Sequence, residues 1–408
     1  MGKDSNEGEG GKEIIRFDRE TIEREIRDRV RHIIEEVVDA GIEEALGAKA
    51  SARVGEHRRG YRHGYRERTL TTSVGATKFA MPRGRVKDGE GGSREWRSET
   101  VERYERRSRR VDEAIVGVYL SGANTRRIRG ALAPLLRGSP LSKDAVSRLV
   151  GRLKEDFEQW RPRELKGEKI RYLFMDGWYP KVRIDKKRVR VPVLVTLGTK
   201  QTGERVVLDL RIAGDESGAA WGEVLESLVK RQMGVPAVAV IDGGAGLAAA
   251  LEQRWKRIEI QRCTTHKLRN LLAKAPVRMR EELAEDYRRM IYAETAKQVF
   301  EQRAKFRAKW RLKCAAVVQS LDEAGEELFT FTKFPSSQWK ALRTTNAIER
   351  INEEFRRRTK TQASLPGEEA VLLLMYGLLR SGHIRLRRMV GWKDIPSSNR
   401  VVATAEAA

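Results

Sequence analysis

The sequence predicts an α/β fold: a core built on a mixed sheet, interrupted by an all-helical insertion and preceded by a helical region with helix-turn-helix-like spacing. Three observations carry that expectation. Strand-forming runs separated by short turns lie between Lys169 and Asp242. Apolar residues recur at helical intervals from 276 to 341, and three short segments with cap signals follow one another between Val111 and Trp160.

The chain has 408 residues, enough for two or three domains. A formal charge of +24, from 82 Lys and Arg against 58 Asp and Glu, exceeds what solubility requires and points to a polyanion, most simply nucleic acid. A membrane surface is the rival partner. The longest apolar runs, VPVLVTLG after Arg190 and AVLLLMYGLL from Ala370, are too short to span a bilayer, and the N-terminus carries no signal-peptide pattern. The expected location is cytoplasmic, with no membrane partner. Cys263 and Cys314 are too few for a disulfide scaffold, and the scattered histidines close no zinc site.

Residues 1–13 read as a polar, disordered leader. Residues 14–95 read as an N-terminal helix and a basic Tyr/Arg hairpin region. After Asp18, a candidate N-cap, Ile22, Ile26, Val30, Ile33, Ile34, Val37 and Val38 form one helical stripe, which packs in its own domain or on another subunit. The segment EHRRGYRHGYRERTLTTSVGATKFAMPRGR then interleaves arginines with tyrosines and reads as a hairpin around Gly75. Arg62, Tyr65 and Arg66 are candidate DNA contacts, with tyrosine stacking and arginine taking phosphate; a solvated basic face is the alternative. Lys87 to Arg94 reads as a loop.

Residues 96–160 form the helix-turn-helix-like unit. Gly122 ends its first helix, Asn124 or Thr125 caps the second and Ser142 caps the third. The segment after Ser142, with Arg148, would enter the major groove; three helices packed without DNA are the alternative.

Residues 165–275 are the first part of the sheet core. KIRYLFMDGWYPKVR enters Asp176, RVRVPVLVTLG is a second strand and ERVVLDLRIAG a third. A helix over 217–233 follows, and Pro236 leads a fourth strand, VAVI, into Asp242. Gly243, Gly244 and Gly246 then break the run before a helical pattern. Asp242 therefore either caps that helix or belongs to a site where the glycines leave room for a metal or ligand. Three strands, a helix, then a strand is the order of an RNase H-like core, in which the first and fourth strands are neighbours. Asp176 and Asp242 would then share a cleft suited to Mg²⁺, a hard cation that takes oxygen ligands.

Residues 276–341 read as the helical insertion, anchored by Tyr287, Ile291, Ala296, Phe300, Phe306 and Trp310. Residues 342–390 return to the core. Thr344 or Thr345 caps a helix on which Asn346, Glu349, Asn352, Glu353 and Arg356 lie on or near one face. Glu349 is the candidate third carboxylate. Arg356, Arg357, Arg358 and Lys360 form a basic strip for phosphates, whereas Glu353 fits a surface ion pair better. Residues 391–408 are a tail whose end frays.

Asp176 in FMDGWYPKVR, Asp242 in VIDGGAGL, then QRCTTHKLRN and TTNAIERINEEFRRRTK, together resemble the signature blocks of the Mutator-type transposases of bacterial insertion sequences. GYRHGYRERTL, MPRGR and YLSGANTRRI resemble that family's N-terminal blocks, so the likeness runs from about residue 55 to 390. The resemblance implies a DDE recombinase. Asp176, Asp242 and Glu349 match its catalytic acids and would hold two Mg²⁺ ions, with Mn²⁺ able to substitute. Cys263 and His266 match its Cys-x-x-His signature, with Cys263 a structural neighbour of the site and His266 acting near the scissile phosphate; Lys267, Arg269 and Asn346 would join the DNA contacts. The implied reaction is metal-dependent cleavage at terminal inverted repeats and 3′-OH strand transfer into target DNA, by a homodimer or larger homo-oligomer. An RNase H-like nuclease that cuts without joining, and a non-enzymatic DNA-binding regulator, are the alternatives. Gly177-Trp178 and Pro180 depart from the family's strand end.

Overall fold

The computed structural model describes residues 19–52, 58–88, 92–123, 125–134, 136, 141–184, 187–361 and 367–395. The expected leader, Asn124 and most of the C-terminal tail lie outside them. The chain divides into two compact units, 1–119 with 123–149 and 120–122 with 150–408. One boundary falls inside the last helix of the unit that the sequence placed at residues 96–160.

The first unit contains α1 (Arg19–Leu46), β1 (Gly60–Thr72), β2 (Gly75–Lys87), β3 (Ser93–Glu95), most of α2 (Arg109–Leu120), α3 (Thr125–Ala131) and the start of α4 (Lys143–Trp160). β1 and β2 form the expected antiparallel hairpin, closing at Thr72 and Gly75, where Gly75 has φ of 105°. β3 was not anticipated: the loop between Lys87 and Arg94 returns and pairs on β2 from Lys87 to Arg85. Ile34 and Val38 of α1 pack with Leu70, Phe79, Met81 and Val101. The rest of the predicted stripe divides, leaving Ile22, Ile26, Ile33 and Val37 exposed. Ser142 caps α4 as expected, its Oγ accepting the Ala145 N–H at 3.1 Å.

The second unit is built on β4 (Ile170–Trp178), β5 (Lys181–Ile184), β6 (Lys187–Arg190), β7 (Val193–Lys200), β8 (Arg205–Ile212), α5 (Gly218–Lys230), β9 (Val238–Ile241), α6 (Ala245–Arg254), β10 (Glu259–Arg262) and α7 (Thr264–Lys274). Its five-stranded sheet has the order β10-β9-β4-β7-β8. β4, β7 and β8 run antiparallel to their neighbours in that set, while β9 and β10 join in parallel on the other side of β4. This mixed α/β sheet is consistent with an RNase H-like core. Two strand assignments change. The run expected to be the second strand breaks at Pro192, which has no N–H for a ladder, so β6 pairs with β5 as a separate ribbon and only β7 enters the sheet. β10 was missed because four residues with one strongly apolar side chain, Ile260, carry little periodic signal.

Alternation along β4 sorts its two faces. Leu173 and Met175, with Ala239 and Ile241 of β9, bury against Trp221, Val224 and Leu228 of α5 and Leu247 and Leu251 of α6. Tyr172, on the opposite face, donates its hydroxyl to Gln338 Oε1 at 2.7 Å and packs edge-on to Phe334 at 5.7 Å. Asp176 follows Tyr172 and Phe174 on that second face.

The insertion is helical among the described residues: α8 (Arg280–Ile291), α9 (Ala296–Lys313), α10 (Ala315–Glu323) and α11 (Ser336–Leu342), joined by short 3₁₀ turns. Tyr287, Ile291, Phe306 and Trp310 are buried anchors as expected. Phe300 is largely exposed, and its neighbour Val299 takes the buried position. α12 (Asn346–Thr361) and α13 (Glu369–Arg380) complete the fold. No helix of the described residues is long and apolar enough to cross a membrane.

Candidate active site

The register of the central strands brings the first two acids together. β4 and β9 pair in parallel with Phe174 opposite Val240, and Asp176 and Asp242 each lie two residues further on. Both therefore emerge from the same end of the sheet on the same face. Asp176 is only 7% exposed. Burial pushes its carboxyl up to about 7; the attraction of His266 opposes that shift, and the repulsion of Asp242 and Glu216 adds to it.

Asp242 shapes the turn before α6 without capping the helix, whose N-cap is Gly244. Its Oδ1 accepts the Gly244 N–H at 2.9 Å, which fixes the turn into α6, and its charge acts on Asp176. The glycines around it are not arranged as expected. A Cβ on Gly243, which has φ of 102°, would meet Arg262 Nε at 2.8 Å, and one on Gly246 would meet Gly218 N at 2.8 Å. Gly246 thus lets α6 approach the start of α5, and Gly243 makes a turn against an arginine. Neither Cβ direction opens toward a ligand.

The third acid comes from α12. Glu349 Oε1 lies 3.8 Å from His266 Nε2 and 3.6 Å from Arg269 Nη1. The His266 ring is raised to about 9, first by the Cys263 sulfur beside it, against burial, and further by the charges of Asp176 and Glu349. It is therefore an imidazolium at neutral pH, flanked by acids from two different elements.

Cys263 is fully buried and binds the start of α7 to the start of α12. The Thr345 N–H and hydroxyl both donate to its Sγ at 3.5 Å, and Thr264 N–H donates to the Arg343 carbonyl at 2.9 Å. Burial alone would raise the thiol, yet the approach of His266 and Thr345 brings it below its usual 9.0. The Thr345 hydroxyl is thus turned to sulfur, while its carbonyl accepts the first N–H groups of α12, from Ile348 and Glu349.

The residues expected at DNA fall into distinct environments. Arg269 and Asn346 are exposed beside Glu349, and Arg356 and Arg357 are exposed further along α12, with Arg358 half-buried. The Lys360 side chain lies outside the described residues. Lys267 is 4% exposed and its ammonium donates to the Ser320 carbonyl and to Glu323 at 2.6 and 2.7 Å, so it ties α7 to α10. In the first unit, Arg62 pairs with Asp39 and Glu43 of α1 at 2.6 and 3.4 Å, and the Tyr65 hydroxyl reaches Asp39 at 3.4 Å. These two fasten the hairpin to its helix, whereas Arg66 and Arg148 are exposed.

Sequence reasoning missed Glu216. It precedes Ser217, whose Oγ caps α5 by accepting the Ala220 N–H at 3.3 Å, and so reads as an ordinary acid near a helix start. Its carboxyl is raised by burial, with Tyr179 opposing and Asp242 adding to the shift. The signal that could have found it is Gly177, a glycine inside a strand and next to an aspartate.

Among the described residues, no three His, Cys, Asp or Glu side chains stand close enough together as placed to hold a metal ion. The donor chemistry nonetheless fits a hard divalent cation. A buried carboxylate repelled by two further acids is offset best by a cation that binds through one or two carboxylates and keeps its own waters.

The site thus has acids at the ends of two adjacent strands of a mixed α/β sheet and a further acid on α12. Residues 12–388 match the profile of the family described as transposase, Mutator family, and the chain belongs to that family. It is 32% identical over 358 residues to the transposase for insertion sequence element ISRM5 of Rhizobium meliloti (strain 1021), covering 88% of this chain and 87% of that one. It is also 32% identical over 344 residues to the IS406 transposase of Burkholderia multivorans, covering 82% and 84%. Identity is 29% over 335 residues to the transposase of IS256 in transposon Tn4001 from Staphylococcus aureus, covering 80% and 82%.

Proposed function

We propose that this protein is a DDE transposase with an RNase H-like catalytic core, which cuts DNA at terminal inverted repeats and joins the released 3′-OH to target DNA in a Mg²⁺-dependent reaction. The observation that supports it is that Asp176 and Asp242 stand at the same end of the adjacent strands β4 and β9, while His266, whose charge acts on Asp176, lies 3.8 Å from Glu349 of α12. Asp176 and Asp242 would hold the cations, with Glu349 completing the set and Mn²⁺ able to substitute. Bound there, such ions supply Lewis acidity to the attacking and leaving oxygens of an in-line displacement.

The chain's own groups supply position and charge. Thr345 and Cys263 hold the first turn of α12, which sets where Glu349 projects. The His266 imidazolium and Arg269 guanidinium place positive charge beside the acids, where a scissile phosphate needs it. The exposed arginines of α12 follow the flanking phosphates. Coordinated use of two transposon ends requires at least a homodimer.

Asp242→Ala should lower cleavage and joining of terminal-repeat DNA by at least about a thousandfold, since it removes an interaction spent on the transition state, while leaving DNA affinity within a few-fold. Strand transfer near the wild-type rate in that variant would refute the assignment. Wild-type protein that cuts paired terminal-repeat DNA but never joins it would instead support a hydrolytic nuclease. DNA binding with neither step would leave the regulator.

A further inference from the structure

We propose that Arg205 is the centre of a basic pocket in the second unit, between the β7–β8 turn and the segment 386–392, which takes a phosphodiester group of duplex DNA. The inference rests on the DNA-binding reading above and adds a backbone contact apart from the arginines further along α12.

The pocket is built by the fold. Lys200, Glu204, Arg205, Val206, Leu386 and Arg388 line a surface cavity of about 420 Å³. Gly203, with φ of 80°, makes the turn between β7 and β8, and its carbonyl accepts the Met389 N–H at 2.9 Å. A Cβ on Gly203 would collide with Trp392, so the segment is seated directly on the turn. Arg388, stacked on Trp392 at 4.5 Å, forms the rim.

Three cations and one acid line this space. Lys200 is held by Glu168 and Glu204 at 2.7 and 3.7 Å, and Arg388 reaches Glu204 at 4.0 Å. Arg205 is different. Val206 packs on the α5 side of the sheet, so Arg205 turns to the opposite face, where its guanidinium lies over the Phe174 ring at 5.7 Å. Its Nε is sealed from solvent without a hydrogen-bond partner among the described residues. Burial lowers the guanidinium to about 10, and the neighbouring charge that adds to the shift is another cation, Arg350 of α12. A half-buried guanidinium that meets a like charge and no acid is offset by an anion from outside the chain.

Phosphate is the anion whose oxygens match the planar donor fork of arginine. The apolar part of the wall is Val206 and Leu386, neither of them a ring on which a base would stack, so the pocket suits backbone charge. Its place on the sheet favours DNA. Phe174 lies two residues before Asp176 on the same face, and Arg350 follows Glu349 on α12. Thr199 pairs with both Tyr172 and Arg205, which puts Arg205 two strands across and four residues down from Asp176. Backbone to backbone that is roughly 16 Å, a few nucleotides along one DNA strand.

The test is affinity of the full-length protein for duplex DNA of arbitrary sequence, titrated at several salt concentrations, since phosphate contacts carry no sequence information. Arg205→Gln should weaken binding about tenfold and reduce the salt slope by about one phosphate contact. Arg205→Lys keeps the charge and should lose less. Glu204→Gln frees Lys200 and Arg388 and should tighten binding a few-fold, which a merely structural acid would not do. Glu226→Gln, on α5 across the sheet, makes the same change in net charge and should leave affinity as it is. If Arg205→Gln keeps the wild-type slope, or Glu226→Gln tightens binding as much as Glu204→Gln does, the inference is overturned while the DNA reading stands. If the wild-type protein binds no duplex DNA, both fall. Should Arg205→Gln not fold, Glu204→Gln against Glu226→Gln decides.

Discussion

Asp176 is held where its ionised form is disfavoured, and that has a measurable cost in the absence of cation. Its folded value of about 7 lies above the ordinary 3.8, so the folded state binds the proton more tightly than the unfolded chain does. The resulting stability is fully present below 3.8 and is lost as pH rises through about 7. Asn mimics the protonated acid at every pH. Asp176→Asn should therefore stabilise chelator-treated protein more at pH 8 than at pH 5, with a difference of at least about 1 kcal/mol. Thermal melts at the two pH values check this, and an equal effect at both would show that the carboxylate is not under strain. His266 shifts in the same sense at higher pH, raised from 6.5 to about 9, so it contributes a further decline above the Asp176 window. Asp176 and Asp242 could be picked out of the sequence because each ends an apolar strand run. Glu216 left only an indirect trace, the strand glycine Gly177 that it packs against, 39 positions earlier.

At the scale of elements, the close approach of α5 and α6 is the most exacting packing around the site. Gly246→Ala would gain about 1 kcal/mol of helix propensity. The new methyl would meet the Gly218 backbone, 2.8 Å from N and 3.2 Å from Cα, and backbone cannot swing aside as a side chain can. Overpacking of that kind costs about 1–3 kcal/mol, so the variant should melt lower than wild type. A higher melting temperature would mean that the two helices part readily. The strands that flank Asp176 and Asp242 were legible because they are fully buried and rich in β-branched and aromatic residues. The β5–β6 ribbon and β10 were not. Ribbon and second strand read as one run because only Pro192 separates them, and β10 is held by its parallel pairing to β9, a contact that leaves little periodic trace.

Over the whole molecule, the charge of +24 is unevenly committed. Arg62 and Lys267 are buried against acids inside their own units, whereas Arg356 and Arg357 lie exposed on the helix that carries Glu349, Arg357 beside Glu354 of the same helix at 2.7 Å. Replacing Arg356, Arg357 and Arg358 together by Gln should weaken DNA binding and reduce the dependence of affinity on salt by about two to three phosphate contacts. Titrations at several salt concentrations measure it, and an unchanged slope would place the phosphate path elsewhere. Composition alone predicted a polyanion partner. Which cations remain available depends on ion pairs between residues distant in sequence, and no local pattern encodes those.

The bond from Thr264 to the Arg343 carbonyl, with the Thr345 contacts to Cys263, joins positions about 80 residues apart across the helical insertion. Closing so long a loop is entropically late unless the intervening segment has already become compact. The position of Glu349 relative to the two aspartates is therefore coupled to the folding of the whole insertion, so that a change in the insertion far from the acids can shift where α12 starts.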